Sequence, residues 1–293
     1  GRWGMKLRSL ALVAAFVVPS SAAADDRQTL TIDSAILGES RRVFVALPDS
    51  FGKTSDPRRY PLIIVTDGEG SSAEAVVTAS RELARHGLIP EAIVAGIENT
   101  DRLRDLTPPG ISVSGSSRDE GGDRFLDFIE RELIPELDEK FRAAAPRVLV
   151  GHSSGGILAT YAAATRASFP LIVALDTPVH LEDRWLAAKL TERARAGGAP
   201  VRYASYNAVF GWPDAAWADL VAAAPATWLL RHGKFENETH NSMPLLGAYL
   251  GLRETFLDYS RKAAPVFPTT SILPYYDTLT AVFGGTLPPP LAL

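Results

Sequence analysis

A serine lies between two glycines where an apolar strand pattern gives way to a helical one. The stretch Gly151-His152-Ser153-Ser154-Gly155 follows the apolar residues 148–150 and precedes a helical pattern. Gly-x-Ser-x-Gly in this context is typical of a nucleophile elbow, a sharp turn that leaves the serine hydroxyl exposed. The two glycines leave room where side chains would collide with the turn. The pattern therefore predicts Ser153, rather than Ser154, as a catalytic nucleophile.

A serine nucleophile needs a general base, and in chains with such an elbow the order is serine, acid, histidine. His86 precedes the serine, His152 lies inside the elbow with its side chain expected to point away from the nucleophile, and His180 comes too early. His240 lies in a polar loop directly after the last predicted strand, whereas His232 lies within that strand. His240 is the predicted base, and only His232 competes with it.

The acid that would orient His240 has two candidates. Asp214 follows the predicted strand over 201–208, where the acid usually lies, although it could instead cap a helix. Glu238 lies two residues before His240, although it could be a solvated loop charge. Either carboxylate could fix the imidazole tautomer, and only one of them would do so. A Ser–His dyad without a strong acid is the remaining alternative.

Two backbone N–H groups are expected to form an oxyanion hole. One is the N–H of Ser154, the residue after the nucleophile. The other is the N–H of Glu69, which follows Asp67-Gly68 at the end of an apolar strand pattern. No metal or cofactor is needed for this chemistry.

The elements around these residues alternate. Residues 28–37 and 41–48 predict a hairpin that turns at Gly38. Further strand patterns are each followed by a helical or loop segment, and they cover residues 60–68, 91–99, 147–151, 169–176, 201–208 and 227–235. This alternation predicts an α/β fold with a mostly parallel central sheet, helices on both faces and an antiparallel N-terminal hairpin.

Two helices carry specific expectations. Ser71 or Ser72 is expected to cap a helix that stops at Gly87. Pro135 is expected to kink a helix over 123–141, because proline lacks the N–H that the helical ladder uses.

The N-terminus has the pattern of a secretory signal peptide over residues 1–24. Two basic residues precede the apolar run 10–18, and small residues end at Ala24. Residues 1–4 precede Met5, the natural start, and are expected to be an upstream remnant. Cleavage would lower the formal net charge from −4 to −7 and leave one domain over 25–293, without a stable membrane anchor and periplasmic or secreted.

Composition narrows the classes of function. The net charge of −4 argues against a nucleic-acid partner, since no strongly basic surface is implied. The absence of cysteine excludes disulfides, thiolate chemistry and cysteine zinc sites. The sequence leaves the oligomeric state open.

Several stretches, in order from about residue 29 to 260, resemble the putative esterase family of α/β hydrolases, which includes esterase D and the enterochelin-esterase-like enzymes. The resemblance rests on "VTDGEG", "IENTDRLRDLTP", "FLDFIERELIPELDEKFR" with "VLVGHSSGG", and "ETHNSMPLLGAYLGLRETF". It implies an α/β-hydrolase fold and a serine carboxylic-ester hydrolase, with Ser153 and His240 in the family's catalytic positions.

The expected reaction is hydrolysis of a small-molecule ester through an acyl-enzyme on Ser153. An acyltransferase with the same site and a siderophore trilactone esterase are the alternatives. Trp212 and Arg104 are candidate substrate-binding residues, although Trp212 could be packing and Arg104 could be paired with Asp105. The loop over 107–118 is expected to shape the entrance.

Overall fold

The computed structural model describes residues 27–53, 57–112 and 120–261, together with Leu279, residues 283–285 and Leu287. The predicted signal peptide over residues 1–24 lies outside the described residues, as does the second half of the predicted entrance loop, residues 113–118. None of the described helices combines the length and the hydropathy that crossing a membrane demands.

Eight strands form one sheet with the order β1-β2-β4-β3-β5-β6-β7-β8. The first two pair antiparallel, β2 pairs antiparallel with β4, and every other neighbouring pair is parallel. The bounds of β1 to β8, in chain order, are Arg27–Ser34, Glu39–Ala46, Tyr60–Val65, Ile93–Ile97, Ala143–His152, Leu171–Leu175, Arg202–Asn207 and Leu229–Lys234. The predicted α/β class and the mostly parallel sheet are confirmed.

Nine α-helices flank the sheet in the described part of the chain. Their bounds, α1 to α9, are Ser71–Arg85, Arg102–Leu106, Gly122–Phe128, Ile134–Lys140, Ser154–Thr165, Leu181–Ala196, Asp214–Ala223, Pro244–Thr255 and Leu257–Arg261. A π-helical turn over Ile129–Leu133 joins α3 to α4.

Both faces of the sheet are covered by helices, because the buried strands carry apolar side chains on both faces. Leu62 and Ile64 of β3 join one apolar cluster, whereas Ile63 and Val65 join the other, because successive side chains point to opposite faces. Side chains of α3 to α7 belong to the first cluster, and those of α1 and α8 belong to the second. Full burial of each such side chain contributes about 1.5–3 kcal/mol.

The hairpin prediction is confirmed. Residues of β1 and β2 pair from Arg27 with Ala46 to Ser34 with Glu39, and Gly38 lies in the turn with φ of 74°. That left-handed conformation suits glycine, which has no Cβ to clash.

Two helix predictions need correction. The residue that caps α1 is Gly70, with no side-chain cap, so the capping role predicted for Ser71 or Ser72 is wrong. The predicted kink at Pro135 takes the form of the π-helical turn before it. Because Pro135 has no N–H to donate, the helical ladder loses a bond there, and a wider turn accommodates the loss.

Candidate active site

Ser153 occupies a strained turn between β5 and α5. Its φ of 58° and ψ of −118° lie in a region that L-residues rarely adopt. The Ser153 N–H donates to the carbonyl of Leu175 at 2.9 Å, which ties the turn to the neighbouring strand β6. A conformation of this kind costs about 1–3 kcal/mol and persists where the surrounding structure enforces it. The geometry is that of the nucleophile elbow.

Both glycines of the elbow are at close backbone approaches. A Cβ built on Gly151 would lie 2.0 Å from the carbonyl oxygen of Gly155, inside van der Waals contact. A Cβ on Gly155 would lie 2.1 Å from Oγ1 of Thr66, at the end of β3. Glycine at these positions therefore allows the strand, the helix and the β3 end to meet at the serine.

His240 lies in the loop between β8 and α8, and its imidazole is held by a carboxylate. Nδ1 of His240 lies 2.7 Å from Oδ2 of Asp176, whose side chain is fully buried directly after β6. The other oxygen, Oδ1, accepts the backbone N–H groups of Ala208, Val209 and Phe210 at 2.8, 2.9 and 2.8 Å. Burial by itself would raise the pKa of Asp176, but these hydrogen bonds and the one to His240 hold it below its usual value. Asp176 is thus an ionised acceptor that orients the imidazole.

Asp176 was missed by the sequence analysis, and the structure corrects both acid candidates. Asp214 is the exposed first residue of α7, and Glu238 accepts a hydrogen bond from Ser242 Oγ at 2.5 Å. Within the described residues, neither carboxylate is hydrogen-bonded to His240. The acid follows β6, one strand earlier than expected, so it neighbours the nucleophile strand in the sheet. The available signal was a carboxylate directly after the apolar run 171–175.

The competing base, His232, lies inside β8 with its ring 4.9 Å from that of Trp217.

Among the described residues, no hydrogen bond joins Ser153 Oγ to His240, and such contacts often tighten only when substrate binds.

His152 does not point away from the site. Its ring packs against that of His240 at 4.4 Å, and its Nε2 lies 2.9 Å from the carbonyl oxygen of His240. Its Nδ1 lies 3.1 Å from Ser72 Oγ. Burial first, and then the nearby His240, lower the pKa of His152 to about 4, so this imidazole is neutral near neutral pH.

The two residues expected to supply oxyanion donors each lie at or beside the N-terminal end of a helix. Ser154 begins α5, and Glu69 lies in the loop between β3 and α1. Within the described residues, neither N–H donates to a backbone carbonyl. The carboxylate of Glu69 is held separately, since it accepts the N–H and Nδ2 of Asn99 at 3.1 and 2.8 Å.

A cleft of about 240 Å³ opens beside the elbow, and its lining is Asp67, Glu69, Gly70, Ser71, Ser72, Asn99, Arg102, His152, Asn241 and Pro244. Arg102 is the cation of this cleft. Its Nε and Nη2 donate to the two oxygens of Asp67 at 2.6 and 3.1 Å, and Nη1 donates to Ser154 Oγ at 3.2 Å. The predicted substrate-binding arginine was Arg104, and Arg102 was not predicted.

Arg104 is not among the residues that line this cleft. Its Nε donates to Asp105 at 2.7 Å and its Nη2 donates to Glu39 at 2.6 Å, and these two carboxylates raise its pKa above the ordinary value. The structure thus places this substrate-binding candidate in an ion-pair cluster with Asp105 and Glu39.

Trp212 is also a structural residue. It is 5% exposed, and its Nε1 donates to the Tyr203 hydroxyl at 3.2 Å within the core. Val209 and Phe210 are exposed apolar residues, and the Phe210 ring meets the His240 ring edge-on at 5.3 Å.

His152, Asp176 and His240 offer potential metal-ligand atoms within 4.8 Å of one another. Asp176 Oδ2 is hydrogen-bonded to His240 Nδ1, and His152 Nε2 is hydrogen-bonded to the backbone carbonyl of His240. The arrangement accordingly suits proton transfer.

Comparison with known proteins agrees with this geometry. Residues 34–179, about half of the chain, match the family described as "Putative esterase". A curated relative, the siderophore triacetylfusarinine C esterase of Aspergillus fumigatus, is 32% identical over 117 residues. That match covers 36% of this chain and 39% of the relative's length.

Solved structures share the whole fold. An IroE-like serine hydrolase from Shewanella oneidensis is 29% identical, with 90% of each chain covered and a TM-score of 0.77. The siderophore hydrolase EstA from Aspergillus nidulans is 18% identical, with 84% of this chain and 99% of that chain covered and a TM-score of 0.66, a likeness of fold alone. With the elbow and its histidine, these matches identify the chain as an esterase of the α/β-hydrolase type.

Proposed function

We propose that the protein hydrolyses carboxylic esters through an acyl-enzyme on Ser153, with His240 as general base and Asp176 as the acid that orients it. The observation that carries this proposal is the 2.7 Å contact between His240 Nδ1 and the buried Asp176 carboxylate, beside a serine in the elbow conformation.

The proton transfers follow from that contact. Because Nδ1–H of His240 donates to Asp176, Nε2 carries the lone pair and takes the proton of Ser153 as the hydroxyl attacks the ester carbonyl. His240 then protonates the departing alcohol, and water attacks the acyl-enzyme with the same base. The carboxylate stabilises the imidazolium that forms in each half-reaction.

The developing oxyanion is stabilised by the N–H groups of Ser154 and Glu69. Ser154 is the first residue of a 12-residue helix, so the positive end of the helix dipole also faces this charge. Loss of one such donor typically lowers kcat by about 10²–10³-fold.

The test is hydrolysis of p-nitrophenyl acetate, butyrate and octanoate by wild type, Ser153→Ala and Ser154→Ala. Ser153→Ala should lower kcat/KM by about 10³-fold or more, whereas Ser154→Ala keeps the backbone N–H and should retain most activity. Equal activity of wild type and Ser153→Ala would refute the acyl-enzyme.

A siderophore ester is the second candidate substrate, because the curated relative is named as an esterase of triacetylfusarinine C. Chromatography with mass detection would follow cleavage of triacetylfusarinine C and enterobactin. Faster turnover of either compound than of any p-nitrophenyl ester supports this substrate class. No cleavage by an enzyme active on simple esters would exclude these two siderophores, and transfer of the acyl group to an added alcohol would indicate an acyltransferase.

We infer that the protein is exported, and this rests on the signal-peptide pattern over residues 1–24. N-terminal sequencing of the native protein from periplasmic and culture fractions tests the inference. A mature N-terminus near residue 25 is expected, and an uncleaved chain confined to the cytoplasm would contradict it.

A further inference from the structure

The catalytic histidine is fixed at two points, and only one of them is its side chain. The imidazole is held through Nδ1 by Asp176, and the backbone carbonyl of His240 is held through Nε2 of His152 at 2.9 Å. His152 is the last residue of β5 and directly precedes the nucleophile. The strand that precedes Ser153 is therefore also hydrogen-bonded to the main chain of the loop that carries His240.

The proton positions on His152 follow from its partners. A carbonyl oxygen can only accept, so Nε2 of His152 must carry the hydrogen. In the neutral ring Nδ1 is then an acceptor, and it faces the hydroxyl of Ser72 at 3.1 Å. Ser72 is buried in the first turn of α1, so its O–H is directed to Nδ1. The Ser72 hydroxyl thus donates to Nδ1 of His152, and Nε2–H of His152 donates to the carbonyl of His240.

We propose that His152 is a positioning residue that sets the distance between His240 and Ser153, and that Ser72 supports the His152 ring through its hydrogen bond to Nδ1. The inference rests on the proposed function, because it assigns His152 a role in placing the base of that reaction. His152 itself exchanges no proton with substrate. Its ring also packs against the His240 ring at 4.4 Å, which restrains the imidazole from the side.

Loss of the hydrogen bond between His152 and the His240 carbonyl should lower kcat rather than weaken substrate binding. A base displaced by about 1 Å can lower the rate by about 10²-fold, whereas the oxyanion donors and the residues that line the cleft, apart from His152 itself, are left in place. The buried Ser72 hydroxyl acts through His152, so its removal should have a smaller effect of the same kind.

Two substitutions at position 152 test whether the hydrogen bond to the His240 carbonyl matters, or only a polar side chain at that position. His152→Gln places an amide N–H where Nε2 stood, because the number of bonds from Cβ is the same. His152→Asn is one bond shorter and cannot reach the carbonyl of His240. His86→Asn is the matched control, since His86 is exposed and contacts only Glu82 among the described residues.

With p-nitrophenyl butyrate, His152→Asn should lower kcat by about 10–100-fold with KM within about 3-fold of wild type. His152→Gln should keep kcat within about 5-fold of wild type, and the kcat of His86→Asn should equal that of wild type. Equal kcat for wild type and His152→Asn would overturn the proposal, as would equal losses in the Asn and Gln variants.

A spectroscopic readout is independent of turnover. Imidazole ¹⁵N spectra of wild type at pH 7 should show His152 as the neutral Nε2–H tautomer, because the carbonyl of His240 accepts only from Nε2–H. An Nδ1–H tautomer in wild type would overturn the proposal even if His152→Asn failed to fold. An Nε2–H tautomer in a wild type without esterase activity would instead refute the proposed function.

Discussion

Asp176 and His240 meet at 2.7 Å although 64 residues separate them along the chain. The carboxylate is fully buried and accepts three consecutive backbone N–H groups through its other oxygen, so its position is fixed before substrate arrives. This is the contact on which the proposed reaction depends.

Asp176→Asn should lower kcat by about 10³–10⁴-fold, because the amide favours the wrong tautomer of His240. Kinetics with a p-nitrophenyl ester would measure the loss. Asp214→Asn and Glu238→Gln are the matched controls and should stay within about 3-fold of wild type. A large loss of kcat in either control, with the kcat of Asp176→Asn unchanged, would indicate that Asp214 or Glu238 is the catalytic acid.

Gly151→Ala should destabilise the fold strongly, by about 3 kcal/mol, because the new Cβ would clash with backbone in the elbow. Gly38→Ala is the control: nothing lies within 4 Å of its Cβ position, and only the positive φ opposes alanine there. Its cost should be about 1 kcal/mol. Urea unfolding compares the two, and equal losses would contradict the packing argument.

Asp105→Asn should destabilise the protein by about 1.5–3 kcal/mol, because it removes the buried one of the two carboxylates, Asp105 and Glu39, that pair with the buried guanidinium of Arg41. Both side chains are almost inaccessible to solvent, at 0% and 1% exposure. The double variant Arg41→Met, Asp105→Leu should recover most of the loss. Thermal unfolding measures all three proteins, and a double variant as unstable as the single one would argue against the weakened pairing of Arg41 as the cause.

Stability should fall as the pH drops from about 6.5 to about 4. The pKa of His152 is lowered to about 4, so in this window the unfolded chain binds a proton that the folded chain does not. The loss is at most about 3 kcal/mol, with His240 disfavouring the charge on His152 and Asp176 and Asp67 favouring it.

His152→Gln tests this assignment, since it removes the titrating ring. The variant should lose less stability than wild type between pH 7 and pH 5 in urea unfolding. His232, whose pKa burial also lowers, acts in the same direction in both proteins. Identical pH dependence in the two would contradict the role of His152.

Phe210→Ala should raise KM for long-chain or aryl esters more than for acetate esters, because it removes an exposed ring at the edge of His240. Val221→Ala on α7 alters an exposed apolar residue elsewhere and should leave chain-length preference unchanged. A preference that Phe210→Ala does not alter would place the apolar part of the substrate elsewhere.

Local patterns in the sequence were enough to predict the sheet and the elbow. A glycine-flanked serine between a strand and a helix and the turn at Gly38 are each determined within a few residues of chain. The loop position of His240 followed from the order of strands alone.

The acid and the cleft cation required contacts that the sequence does not display. Asp176 is distinguished from other carboxylates by the N–H groups of residues 208–210, which come from the next strand end. Arg102 and Arg104 are two residues apart on a short helix, and only the packing of that helix decides which one meets Asp67.

The three amides on Asp176 also have a consequence for engineering. The segment that carries Val209 and Phe210 is attached to the same carboxylate that aligns the base, so its length and backbone path are part of the proton-transfer apparatus. Attempts to broaden the accepted esters are therefore better made by exchanging side chains at 209 and 210 than by grafting a longer loop.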